Sequence, residues 1–291
     1  MTAAFPTLPE PTEMRARLAG ALPLFRSLNW VENTESTNGD LLAYARNPDG
    51  PAARPWLLGA HVQERGRGRS GRTWQNRRGA NLMFSCAFDV FLPARELPTL
   101  SPYVGMLACE ALRGLLAPEH RQSLTMKWPN DLQWSFAKLA GILVEATRAG
   151  TSQLSPDHHI VIIGMGINLD DARALSQSLN RQVADWRQVC AADAQVQSIS
   201  ADVLVAALAR AWYQGLNDVT AFGFVGLPER YAHVDALAGQ SVHVLDDGRL
   251  LESGIAAGVN TRGELLIRTH AGEKAVTVGE ISVRTRTSQT A

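Results

Sequence analysis

Trp56-Leu-Leu-Gly-Ala-His-Val62 and Asn81-Leu-Met-Phe-Ser-Cys-Ala-Phe88 are almost wholly apolar, and between them runs Gln63-Glu-Arg-Gly-Arg-Gly-Arg-Ser-Gly-Arg-Thr-Trp74. Apolar runs of that length read as strands covered on both faces of a sheet. The segment that joins them alternates arginine with glycine. Glycine lets the backbone take positive φ and approach a ligand closely, and each guanidinium offers a planar fork of donors suited to carboxylate or phosphate oxygens. The residues alone leave three readings open: a mobile anion clamp, a solvated arginine–glycine linker, or an RNA-binding segment.

Outward from this loop, Ser36-Thr37-Asn38 precedes residues 39–46, where Leu41, Leu42 and Ala45 recur at helical spacing, so hydroxyls stand where a helix needs a cap. Residues 102–116 space Val104, Leu107, Ala108, Ala111, Leu112 and Leu115 as one buried helix face. Residues 124–128 form a short strand stopped by Pro129-Asn130-Asp131, residues 138–147 a longer strand, and residues 133–137 read as the hairpin connection between them. Residues 159–168 make a further buried strand and 202–217 an amphipathic helix. After Leu237 the texture changes to short β-rich runs at 241–245, 250–257, 264–268, 275–278 and 281–284, separated by Gly-bearing turns. That spacing predicts a small barrel of roughly 50 residues. The expected organisation is a tail over 1–26, an α/β domain over 27–235 and a small β domain over 236–291.

Lys+Arg and Asp+Glu number 28 each, so the chain has no general attraction to nucleic acid or anionic lipid and the arginine cluster is a local feature. Cys86, Cys109 and Cys190 are odd in number and scattered, with no paired spacing, which points to reduced thiols in a cytoplasmic protein; the first two lie in core-like runs. No apolar stretch reaches the roughly 18 residues of a membrane span, and the first residues lack the pattern of a secretory signal. Asp157-His158-His159 has no third ligand nearby and reads as a solvated loop rather than a metal site.

Four polar clusters stand at strand ends or in adjoining loops: Ser36-Thr37-Asn38, the Gln63–Trp74 loop, Lys127 with Asn130, Asp131 and Lys138, and Asn168. In sheet proteins such ends converge on a crevice. Convergence would set Arg67, Arg69, Arg72, Lys127 and Lys138 against little negative charge beyond Asp131, a balance suited to more than one anion. Joining a carboxylate to the α-phosphate of a nucleotide needs that balance, because the anions repel until cations neutralise and align them. Asp131 could hold magnesium. Gly164-Met-Gly166 lacks the third glycine of a dinucleotide fingerprint and reads as close backbone packing at a strand end. Trp74 is either a core aromatic or a plate for a purine.

Taken together, Gly66-Arg-Gly-Arg-Ser-Gly-Arg-Thr-Trp74, Gly79-Ala-Asn-Leu82, Lys127-Trp-Pro-Asn-Asp-Leu132, Lys138-Leu-Ala-Gly-Ile-Leu-Val-Glu145, Ile163-Gly-Met-Gly-Ile-Asn168 and Gly279-Glu-Ile-Ser282 resemble the biotin–protein ligases in order and spacing. The resemblance implies a class II aminoacyl-tRNA synthetase-like α/β catalytic domain with a mixed sheet, followed by a small SH3-like barrel. It implies that biotin and MgATP form biotinyl-5′-AMP and pyrophosphate, and that a lysine of a biotin carboxyl carrier domain then takes the biotinyl group. By motif position, Ser36, Thr37, Asn38 and Gln63 would serve the biotin ureido ring, and Gly66, Arg67, Gly68 and Arg69 would close over the carboxylate and adenylate phosphate. Lys138, beside Gly141, would contact the reacting carboxyl oxygen. Arg72, Trp74, Asn130 and Asn168 would serve the nucleotide, Trp74 by stacking and Asn168 by hydrogen bonds to adenine, while Lys127 and Asp131 would meet phosphate and magnesium.

Ser70 stands where the family often has a basic residue, which bears on any homodimer contact made there. The roughly 30 residues before Ser36 are too few for the winged helix of repressor-type members, so a ligase without DNA binding, without a membrane partner, and monomeric or weakly dimeric is expected. A lipoate- or octanoyl-transferring relative is the nearest alternative, an RNA-binding module using the arginine loop is one of a different class, and an inert biotin or adenylate sensor is a third.

Overall fold

Strands β1 (Ser27–Thr34), β2 (Trp56–Gln63), β3 (Asn81–Phe91), β4 (Leu124–Lys127), β5 (Asp131–Trp134), β6 (Ala137–Thr147) and β7 (His158–Asn168) form one sheet in the order β1-β2-β3-β7-β6-β5-β4. The β1–β2 pair is parallel and the other neighbours are antiparallel, so the sheet is mixed as expected. The chain is seen in a computed structural model that describes residues 8–47, 53–148, 151, 155–246, 249–277 and 281–285. Its helices are α1 (Pro11–Ala21), α2 (Thr37–Arg46), α3 (Leu100–Arg113), α4 (Ala172–Leu179), α5 (Trp186–Ala192), α6 (Ala201–Phe222) and α7 (Leu227–Ala232).

The two-residue period of a strand explains why the central runs are apolar throughout. Trp56, Leu58, Ala87, Ile160 and Ile162 point to one face and pack with Leu41 and Ala45 of α2. Their sequence neighbours Leu57, Cys86, Phe88, Val161 and Ile163 point to the other, into the larger core that α3 and α6 cover. All three cysteines are buried and unpaired; burial pushes the Cys109 thiol up to about 12, that of Cys190 to about 11 and that of Cys86 well above its ordinary value. They are inert core thiols. Among the described residues, no helix is long and apolar enough to cross a membrane.

Three expectations need correction. Within the expected tail, Pro11–Ala21 form α1, which sends Met14 and Leu18 into the larger core against β1 and α6. The connection expected at residues 133–137 is a strand and a tight turn: β5 pairs with both β4 and β6, and only Ser135 and Phe136 lie between β5 and β6, at φ 47° and 70°. Positive φ at both positions is what a two-residue hairpin turn demands, although Asn-Gly is its usual sequence. Phe136 is left 71% exposed. His158 and His159, expected in a solvated loop, instead begin β7 and are buried; His158 Nε2 lies 2.7 Å from Asp89 Oδ1 and its ring stacks on Phe91.

Strands β8 (Ser241–Asp246), β9 (Arg249–Val259), β10 (Leu265–Thr269), β11 (Gly272–Val276) and β12 (Ile281–Thr285) form a second, antiparallel sheet in the order β11-β10-β9-β8-β12. Gly279 and Glu280 of the last expected motif, and the turn at residues 247–248, lie outside the described residues. The turn before β10 docks on the first sheet: Trp128 Nε1 donates to Gly263 O at 2.9 Å, and Thr99 Oγ1 to Arg262 O at 2.8 Å. Gly263 is required there, since at φ +69° a Cβ would also meet Pro102 at 2.7 Å. Residues 234–236 run beside β4, with Met126 N donating to Val234 O and Ala236 N to Met126 O. Asp235, inside this joint, accepts Leu237 N through Oδ1, while its Oδ2 is buried without a partner.

Burial pushes the Asp235 carboxyl up to about 6. A folded-state pKa above the unfolded one means that the contribution of Asp235 to stability is fully present below the ordinary carboxylate range and lost as pH rises through 6. Asp235→Asn keeps the acceptor for Leu237 N and removes the titration. Urea unfolding of this variant is expected to match wild type near pH 4 and to show a gain of up to about 3 kcal/mol at pH 7.5; equal stabilities at both pH values would contradict the assignment.

Candidate active site: a cleft floored by glycine backbone

On the face of the sheet that carries α2, the apolar side chains stop and bare backbone takes over at Gly141 of β6 and at Gly164 and Gly166 of β7. A Cβ at Gly164 would stand 2.1 Å from Asn38 Oδ1, and one at Gly166 would stand 2.5 Å from the Trp74 indole. Glycine is therefore what lets Asn38 and Trp74 lie against the sheet, the close packing read from Gly164-Met-Gly166. Trp74 spans the Gly141–Gly166 pair, half-buried, and its Nε1 is buried without a partner.

At one end of this floor, Ser36 caps α2 by accepting Gly39 N, which turns Thr37 and Asn38 toward the sheet. Thr37 Oγ1 lies 2.6 Å from Ser85 Oγ, and Ser85 donates to Asn38 Oδ1 at 2.5 Å. The two Asn38 amide hydrogens go to Glu145 Oε2 at 2.9 Å and Leu143 O at 3.3 Å. Thr37 N holds Gln63 Oε1 at 2.9 Å, so the Gln63 amide presents its Nε2 as a donor. Side-chain orientation at this end is thus fixed by neighbours before any ligand arrives.

At the other end are the cations. The arginine–glycine loop is a small hairpin of its own, with Trp74 N donating to Gly66 O, Gly68 N to Arg72 O, and Arg67 bridged to Thr73. Ser70 and Gly71 turn its tip at φ 53° and 69°. Arg67 Nη2 reaches Glu145 Oε2 at 2.9 Å and Arg69 Nη1 reaches Asn130 Oδ1 at 3.3 Å. Burial pulls the Arg69 guanidinium below its ordinary value, Arg72 adds to the fall and Asp131 opposes it; an arginine so shifted stays charged. Lys138 Nζ lies 2.6 Å from Asp131 Oδ1 and 5.7 Å from the centre of the Trp74 ring. A bulge makes this possible: Leu132 pairs with Ala140 but Gln133 with Lys138, leaving Leu139 without an opposite residue. The extra residue turns Lys138 to the side of Gly141, where a Cβ would lie 3.2 Å from Nζ.

Ser36, Thr37, Asn38, Gln63, Arg67, Gly68, Arg69, Arg72, Trp74, Lys127, Asn130, Asp131, Lys138 and Gly141 all line one cleft of about 990 Å³. Two expected residues do not line it. Gly66 is buried at the base of the loop. Asn168 is 4% exposed, its two amide hydrogens go to Lys138 O and Ala184 O, and its Oδ1 accepts Asn81 Nδ2. From there it steadies the backbone of Lys138, its amide hydrogens being turned to main-chain oxygens rather than into the cleft. Ser85 and Glu145, outside the expected set, hold Asn38 and Arg67 in place. Their signal was a hydroxyl inside an apolar strand, and a carboxylate four residues after Gly141 and so on the same face.

Residues 32–168 match the biotin/lipoate A/B protein ligase family, and residues 238–284 match the biotin protein ligase C-terminal domain. The bifunctional ligase/repressor BirA of Escherichia coli is 31% identical over 226 residues, 77% of this chain and 65% of that protein, so the match spans just under two thirds of that relative's length. The biotin–[acetyl-CoA-carboxylase] ligase of Paracoccus denitrificans is 29% identical over 254 residues, 86% of this chain and 98% of that protein. The solved structure of the biotin protein ligase from Aquifex aeolicus in complex with biotin and ATP superposes with a TM-score of 0.68 at 25% identity, covering 90% of this chain and all of that one.

Gly166→Ala is expected to fold but to lift Trp74 off the floor and free the loop. Trypsin should then cut between Arg67 and Arg72 at least about tenfold faster than in wild type. Unchanged cleavage would mean that the floor does not hold the loop.

Proposed function

We propose that this chain, which matches the biotin/lipoate A/B protein ligase family over residues 32–168 and the biotin protein ligase C-terminal domain over residues 238–284, is an ATP-dependent biotin–protein ligase with a carrier-protein lysine as final acceptor. One observation carries the choice: a polar end with fixed hydrogen-bonding directions and a cationic end share a single glycine-floored cleft. The ureido ring of biotin offers two N–H donors and one carbonyl acceptor. Asn38 Oδ1 keeps a lone pair beyond its bond to Ser85, while the Ser36 hydroxyl and Gln63 Nε2 supply donors, a set that suits a ureido ring. The dithiolane of lipoate would leave these buried polar groups unpaired, which disfavours the lipoate alternative.

In the first step a biotin carboxylate oxygen bonds to the α-phosphorus of ATP and the bond to pyrophosphate breaks. Both reactants are anions. Arg67 and Arg69 approach from the loop and Lys138 from β6, so fixed charge sits where the acyl-phosphate forms and needs no reorganisation during reaction. Trp74 offers an aromatic face to the adenine, with Arg72 at the mouth. Asp131 fits a magnesium contact of the one-carboxylate kind, since Oδ1 is taken by Lys138 and Oδ2 can meet the ion or its water. A bound magnesium would supply further neutralisation of the phosphates. In the second step the amine of the carrier lysine attacks the anhydride carbonyl and AMP leaves. We take the small second sheet to be the SH3-like part of such ligases.

The test is incubation with ATP, labelled biotin and a biotin carboxyl carrier domain. Label on one carrier lysine is expected, and labelled lipoate or octanoate in place of biotin should give none. Label from lipoate instead of biotin would overturn the choice of acid. Lys138→Ala is expected to slow adenylate formation by roughly 10²- to 10³-fold, the usual cost of removing one preorganised donor to a developing charge. Adenylation near the wild-type rate would remove Lys138 from the reaction.

A further inference from the structure

Glu145 touches both ends of the cleft, and neither reaction step uses it. Its Oε2 accepts from Asn38 Nδ2 and from Arg67 Nη2, each at 2.9 Å. Asn38 belongs to the first turn of α2, and Arg67 belongs to the loop between β2 and β3. Glu145 itself is anchored in β6, where it pairs with Ile162. The loop keeps its shape through its own hydrogen bonds, so what remains to be set is where it sits. Trp74 on its glycine floor fixes the base of the loop; the Arg67–Glu145 ion pair, with Arg67 half-exposed, fixes the side nearest the polar pocket.

We propose that Glu145 is the positioning residue that couples occupation of the polar pocket to closure of the arginine loop. In the empty cleft it neutralises Arg67 and holds the guanidinium over the floor. A bound acid brings a second carboxylate to that guanidinium, and Arg67 passes to it at little cost because it is already in place. The same oxygen orients the Asn38 amide, so a ligand that engages Asn38 is felt at Arg67 without a direct contact between them. The proposal rests on the ligase reading for the identity of the acid, but not for the coupling itself.

The comparison is wild type against Glu145→Gln, which keeps an acceptor for Asn38 and removes the charge, with Arg67→Gln and the double variant. In ligand-free protein, amide hydrogen exchange in Glu145→Gln should rise at least fivefold both in loop residues 66–74 and in the first turn of α2. In Arg67→Gln it should rise in the loop only. With ATP and biotin, Glu145→Gln should raise KM for biotin about tenfold and speed escape of the adenylate about tenfold. Its KM for ATP should stay within twofold of wild type and its kcat within threefold. In the Arg67→Gln background it should speed escape no further. Wild-type exchange in Glu145→Gln, or an equal effect on escape with and without Arg67, overturns the coupling. Coupled exchange in a wild-type protein that forms no biotinyl adenylate would instead sink the ligase reading and leave the coupling standing.

Discussion

β3 and β7 pair over eleven consecutive positions, from Asn81 opposite Asn168 to Phe91 opposite His158, without a bulge. This pairing lies at the centre of the larger sheet and decides which side chains reach which face. It sets Ser85 opposite Gly164 and Met83 opposite Gly166, on the side where α2 lies. A slip by one residue would put Ile163, Met165 and Ile167 on that side, fill the floor with side chains and push Asn38 and Trp74 away from the sheet. The antiparallel register and the two-residue period thus specify a binding surface as well as a core.

Upon that floor the cleft carries its own counter-charges. Lys138 is paired with Asp131 and Arg67 with Glu145, so two of the cations that would meet an acid and a nucleotide carry a counter-charge in the absence of either. An unpaired cluster of arginines and lysines would repel itself, and burial would make the repulsion worse, as the downward pull on Arg69 illustrates. Pairing within the protein lets the positive charges stand close together and leaves them able to change partners. The bulge opposite β5 belongs to the same design, since a regular β6 would have aimed Lys138 at the opposite face.

Much of this architecture was legible in the chain. Apolar runs on either side of the arginine–glycine loop gave two of the central strands, and the hydroxyl-rich stretch before Leu41 marked a helix start that Ser36 does cap. What escaped notice did so for definite reasons. α1 buries only Met14 and Leu18 along its length, too sparse a signal to stand out beside three prolines. β5 is four residues long and looks like the loop on either side of it. Asn168 ends its strand as expected, but position at a strand end does not say whether a side chain opens to a cleft or ties down a neighbouring backbone. Glu145 could be found only by counting faces from Gly141, and that count singles it out only once the face holding the glycine floor is known.

The glycine floor also bears on how such a site can diversify. Main-chain atoms offer ligands the same surface whatever the rest of the sequence does, and any replacement at Gly164 or Gly166 introduces an atom where Asn38 or Trp74 already lies. Heritable change in what the cleft accepts is therefore channelled to its walls: the first turn of α2, the loop tip at Ser70 and the hairpin turn at Phe136. A lineage could exchange one acid or one acceptor for another by revising those three rims while the floor beneath them stays invariant.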